Sequence, residues 1–115
     1  MHIYGIPNCD TVKKARAWLN EHGIEAEFHD YKKQGVPLEV LRKAARQLGW
    51  QALINKNGPT WRKQPDDLKG SITNEKTAFE FLQATPSAIK RPLLETDDAY
   101  HLGFSPDQYL EIFSK

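Results

Sequence analysis

"HIYGIPNCDTVKKARAWLNEHGIEAEFHDY", residues 2–31, reads as strand, helix, strand, and that reading decides the fold. Residues 2–6 are short, β-branched and aromatic, and Gly5, Pro7 and Asn8 punctuate their end, as expected of a buried strand. From Asp10 to His22 the apolar residues Val12, Ala15 and Leu19 recur at helical spacing with Trp18 beside them. Gly23 then suits the position just past a helix end. In residues 24–31, Ala26 and Phe28 alternate with Glu25, Glu27 and His29, the pattern of a half-buried strand. Two strands joined by a helix favour parallel pairing through a right-handed crossover.

Downstream the pattern turns helical. Pro37 suits a first helical position, Leu38, Leu41, Ala45 and Leu48 form one face, and Gly49 stops it. Residues 55–65 read as a Gly/Pro-bearing loop, and residues 73–84 as a helix capped by Thr73 that buries Ala78, Phe81 and Leu82. "PLLET" (92–96) and "AYHLGF" (99–104) flank Asp97-Asp98 as a hairpin. Ser105, Pro106 and Gln108 then predict a helix start with a capping box. The order βαβ, helices, ββα specifies an α/β protein with a thioredoxin-like layout. Its four-stranded mixed sheet carries an inserted helical lobe over roughly residues 35–88, within a single domain spanning 1–115.

A chain of 115 residues buries enough surface to fold as one domain without a disulfide. Its single cysteine, Cys9, cannot form an internal one, and this usage fits a reducing, cytoplasmic setting. The N-terminus lacks the apolar run of a signal peptide, and no stretch approaches the length of a membrane span. Sixteen basic residues stand against fifteen acidic ones, so the net charge of +1 argues against generic nucleic-acid binding.

Cys9 falls where the first strand gives way to the first helix. Unpaired N–H groups at a helix start carry partial positive charge and stabilise a thiolate, the reactive form of cysteine. Asp10 opposes this, and Lys13, Lys14 and Arg16 help only if they fold back. By pattern alone, inert packing and a reactive thiol are equally good readings of Cys9. Two sharper motifs are excluded: a redox C-x-x-C by Val12, and a phosphatase C-x5-R loop by Ala15, since Arg16 comes one residue late. One cysteine with His2, His22, His29 and His101 scattered makes no ligand spacing, so no metal is expected.

"YGIPNCDTVKKARAWLNEHGI" (4–24), "FHDYKKQG" (28–35), "LGWQALINKNGPTWRK" (48–63), "KRPLL" (90–94) and "LGFSPDQY" (102–109) together resemble the arsenate reductase (ArsC)-related family. The resemblance is strongest to its YffB-like branch, with the Spx regulators as cousins, and it runs collinearly over nearly the whole chain. It implies a thioredoxin-like core with a helical insertion and Cys9 as the working thiol. It implies that Arg91 faces the thiol and binds an anion, and that Pro92 is cis and shapes a peptide-binding edge. Asn8 and Thr11, beside the thiol, are further substrate-binding candidates. Two more anion-binding arginines of the arsenate reductases fall on Asn55 and Gly103 here, which leaves Arg62 as a candidate replacement. The Spx-type C-x-x-C switch is missing at Val12. The expectation is a single-cysteine, glutathione-dependent thiol reductase in which Cys9 forms a mixed disulfide that an external thiol resolves. Glutathione would be a cosubstrate with no bound cofactor, glutaredoxin or a protein disulfide the partner, and nucleic acid and membrane would play no part. Arsenate reduction coupled to glutathione and glutaredoxin, and an Spx-like binding module without catalysis, are the alternatives.

Overall fold

The computed structural model describes residues 1–114. Along the chain run β1 (His2–Gly5), α1 (Asp10–Glu21), β2 (Glu27–Asp30), the single turn α2 (Tyr31–Gln34), α3 (Leu38–Leu48) and a 3-10 turn (Trp50–Leu53). There follow α4 (Pro59–Arg62), α5 (Asp66–Ser71), α6 (Glu75–Ala84), a second 3-10 turn (Pro86–Ala88), β3 (Leu93–Glu95), β4 (Tyr100–Leu102) and α7 (Pro106–Phe113). These elements form two compact units, a sheet unit of residues 1–30 and 91–114, and a helical unit of residues 31–90.

In the sheet unit the strand order is β2-β1-β3-β4. β1 pairs parallel with β2 and antiparallel with β3, and β3 and β4 form the hairpin, giving the mixed thioredoxin-like sheet. Side chains alternate across the pleat, so Ile3 and its partner Leu94 point to the same face. There they pack with Ala15 and Leu19 of α1 and Tyr109 of α7, each no more than 3% exposed. Trp18, Phe104 and Phe113 ring Tyr109, whose phenol is held far above its ordinary range by burial.

The opposite face carries a polar row. Glu27, His2, Glu95 and Tyr100 stand side by side across the four strands. His2 Nδ1 lies 2.9 Å from Glu95 Oε1 and Nε2 lies 3.4 Å from Glu27 Oε2, while Tyr100 Oη donates to Glu95 Oε2 at 2.5 Å. Burial, followed by Glu95, pushes the neighbouring Tyr4 phenol up to about 12. The histidines thus act within the sheet and at a helix end, where His22 stacks on Trp18 with its Nδ1 2.8 Å from the Trp18 carbonyl. No cluster of metal-binding geometry occurs among the described residues, and no described helix is long and apolar enough to cross a membrane.

The sequence-based boundaries shift in four places. Pro37 is the N-cap of α3 with an extended backbone, so the helix opens at Leu38, and Leu48 stays 37% exposed instead of completing the buried face. Asn74, not Thr73, caps α6, because its Oδ1 accepts the Thr77 N–H at 3.0 Å while Thr77 Oγ1 accepts the Asn74 N–H at 3.2 Å. The stretch expected to be a loop over 55–65 contains α4, started by Pro59. At α7 only half of the capping box forms. Ser105 Oγ accepts the Gln108 N–H at 3.1 Å, but Gln108 Nε2 donates to the Leu102 carbonyl at 3.2 Å.

Candidate active site around Cys9

β1 ends at Gly5, the chain turns through Pro7 and the exposed Asn8, and Cys9 becomes the N-cap residue of α1 with extended backbone angles. Its N–H donates to the Ile6 carbonyl at 3.3 Å, and its carbonyl accepts the Lys13 N–H at 3.0 Å, so the main chain is fixed on both sides. The side chain closes no conventional cap bond and remains partly exposed. Burial pushes the thiol up. The Val12 N–H, the Arg91 guanidinium through both a hydrogen bond and its charge, and the Thr11 N–H together outweigh that effect and hold the thiol below its ordinary value. A helix N-terminus and a cation therefore act on one sulfur, the arrangement that favours thiolate.

Gly5 permits this placement. A methyl group there would lie 2.8 Å from Val12 Cγ2, inside contact distance. Val12 is fully buried, and a β-branched side chain in a helix has essentially one rotamer, so it cannot swing aside. Gly5→Ala is expected to lower stability by about 1–3 kcal/mol through overpacking, read as a lower denaturant midpoint. An unchanged midpoint would show that α1 yields freely at its first turn.

Arg91 reaches the thiol from the segment before β3, and Pro92 follows it in sequence. The Arg91–Pro92 peptide is cis and Pro92 is fully buried. The Pro92 carbonyl accepts the Gly103 N–H at 2.9 Å, so one main-chain acceptor at this edge is already used within the sheet unit. Gly103 itself has φ +77°, in the left-handed region where an arginine would be strained. The position at which the resemblance puts a second anion-binding arginine is therefore built for glycine.

The other candidates sort clearly. Thr11 reaches the thiol through its backbone N–H. Asn8 sits exposed in the turn before it. Arg62 belongs to the helical unit, exposed at the C-terminal end of α4, with its carbonyl accepting Lys69 Nζ at 3.2 Å. Asn55 lies in the same unit and donates its N–H to the Ala88 carbonyl at 2.8 Å. Arg16 spends its charge elsewhere, its guanidinium 4.1 Å from the Phe28 ring centroid. Sequence reasoning missed Val12, which acts on the sulfur by its N–H, and Gly5, for which the only signal was a glycine at the end of the strand that leads to the cysteine.

A family model described as the ArsC family matches residues 4–112. The chain belongs to the ArsC family. The YFFB protein has a solved structure that superposes with a TM-score of 0.88 at 45% identity, over 95% of each chain. An arsenate reductase (ArsC) related protein from Brucella melitensis is also 45% identical, with a TM-score of 0.76 over 100% of this chain and 97% of that one. An uncharacterized protein of Haemophilus influenzae is 42% identical over 112 residues, 97% of both chains. Within the ArsC family, then, this chain keeps a thiol and an arginine together and has glycine at 103.

Proposed function

We propose that this ArsC-family protein is a glutathione-dependent thiol–disulfide reductase working through Cys9 alone. The observation that carries the reading is the lowered Cys9 thiol, stabilised by two N–H groups of α1 and by Arg91, in a chain with no second cysteine. The Cys9 thiolate attacks the glutathione sulfur of a glutathione mixed disulfide, so that Cys9 becomes bonded to glutathione. A new S–S bond forms, the old one breaks, and the released thiolate takes a proton from solvent. A glutathione thiolate then attacks the Cys9 mixed disulfide, freeing Cys9 and giving oxidised glutathione. Two electrons pass from glutathione to the substrate disulfide, and no internal resolving thiol is required. The Arg91 fork suits a glutathione carboxylate, and Pro92 shapes the edge along which the peptide lies.

Arsenate reduction is the second reading. Its support is the thiol–arginine pair and the likeness to the Brucella melitensis protein described as arsenate reductase related. Glycine at 103 and Asn55 weigh against it, because an oxyanion would be held by fewer cations. Glutathione oxidation that depends on millimolar arsenate and disappears in Cys9→Ala would favour this second reading.

The deciding experiment is the rate of Cys9 alkylation against pH, with and without reduced glutathione. Alkylation follows the thiolate, so a lowered thiol moves the inflection to a pH below the roughly 8.5 of a free cysteine. In the acidic part of the curve the folded protein should react faster than the denatured chain, and glutathione should slow it. An ordinary or higher inflection with no protection would remove Cys9 from chemistry.

A further inference from the structure

The near-neutral charge of the chain conceals a segregation. Residues 31–90 carry eleven Lys and Arg against five Asp and Glu, net +6, whereas the remaining residues carry five against ten, net −5. In the helical unit two of these cations, Lys56 and Lys69, lie against one aromatic residue. Lys56 Nζ lies 6.0 Å and Lys69 Nζ 5.9 Å from the Trp61 ring centroid, and Phe81 packs against the ring edge-on at 5.7 Å. Arg62 and Lys63 follow Trp61 directly and are exposed. Lys69 is held in place by donating to the Arg62 carbonyl at 3.2 Å. The carboxylates of this segment, Asp66 and Asp67, occupy the first turn of α5, the end of a helix that favours negative charge.

We propose that this Trp61-centred basic surface docks an acidic segment of a partner protein. Ammonium groups steadied against an aromatic ring and a carbonyl have given up side-chain freedom before any carboxylate arrives. Extended Asp/Glu-rich peptide fits this chemistry better than single-stranded nucleic acid does. Base binding uses stacking on a bare aromatic face, and Trp61 already has two ammonium groups and a phenyl ring as neighbours. This inference is independent of the chemistry at Cys9.

The test uses full-length Cys9→Ser protein, so that no disulfide exchange intrudes. Fluorescence anisotropy is followed with a short labelled peptide of alternating Glu and Ser, its Lys counterpart, and an oligothymidylate. The Glu peptide should bind, the Lys peptide should not, and the Glu affinity should fall about tenfold or more between ~0.05 and ~0.5 M salt as screening shortens. Lys56→Glu/Lys63→Glu/Lys69→Glu should lose the Glu peptide, with circular dichroism confirming the fold and the salt series on unsubstituted lysines serving as a second measure. Absence of Glu-peptide binding, binding insensitive to salt and to the three substitutions, or tighter binding of the oligothymidylate would each overturn the proposal. The same triple substitution in a Cys9-containing chain should leave reduction of a small glutathione mixed disulfide unchanged. Equal loss there would mean that these lysines serve the thiol site and are no separate surface.

Discussion

Cys9→Ser should reduce turnover of a glutathione mixed disulfide to the uncatalysed background, a loss of at least about three orders of magnitude. A hydroxyl stays protonated throughout the accessible pH range, and its oxygen does not exchange into a disulfide, so neither half of the cycle has a nucleophile. No other residue can stand in, because the chain has no second thiol. The substitution removes one polarisable atom at a partly exposed N-cap and supplies a good capping oxygen, so stability should hold or rise slightly. Loss of activity would therefore report chemistry and not unfolding. The measurement is coupled glutathione reductase turnover with the mixed disulfide of glutathione and 2-mercaptoethanol. Retained turnover in the serine variant would sink the proposed function, whatever becomes of the basic surface on the helical unit.

Arg91→Ala should have the next largest effect. Burial raises the Cys9 thiol, and Arg91 opposes it twice, through a hydrogen bond and through charge. Hydrogen bonds to charged groups contribute about 1.5–3 kcal/mol, so kcat/KM should fall roughly 10–100-fold, at 1.4 kcal/mol for each tenfold. The alkylation inflection of Cys9 should move to higher pH at the same time, because burial is then opposed by the Val12 and Thr11 N–H groups alone. The sign distinguishes roles: a purely substrate-binding arginine would raise KM and leave the inflection in place. Arg91→Lys keeps the charge but loses the planar fork, so it should recover most of the inflection and little of the substrate affinity. Unchanged kcat/KM together with an unchanged inflection in Arg91→Ala would break the link between the two residues.

The sheet and its terminal helices were legible because their signals are local. Short β-branched and aromatic composition marked β1, alternation marked β2, Asp97-Asp98 marked the β3–β4 hairpin, Ser105 and Pro106 opened α7, and Gly23, with φ +67°, closed α1. The 55–74 segment was less legible. α4 and α5 are only four and six residues long, too short for a periodic face to register. Leu48 obeys helical spacing yet is partly exposed, since spacing marks a face without saying what covers it. At the site, the strand-to-helix turn marked Cys9, but nothing local to residue 9 announces Arg91, and that pairing came from resemblance alone. The parts played by Val12 and Thr11 were invisible for another reason: they act through the main-chain N–H, which every residue but proline carries.

The insertion of residues 31–90 has one more consequence. The chain leaves the sheet at Asp30, which is registered against Gly5, and resumes pairing at Leu93, registered against Tyr4 on the other side of the same strand. Those points lie about two strand spacings, or roughly 10 Å, apart. The sheet therefore constrains the inserted segment as a two-point tether, whatever its length. Doubling the tethered chain costs only about 0.6 kcal/mol in closure entropy, so this architecture can enlarge, trim or exchange its lobe while the turn that carries the thiol keeps its register.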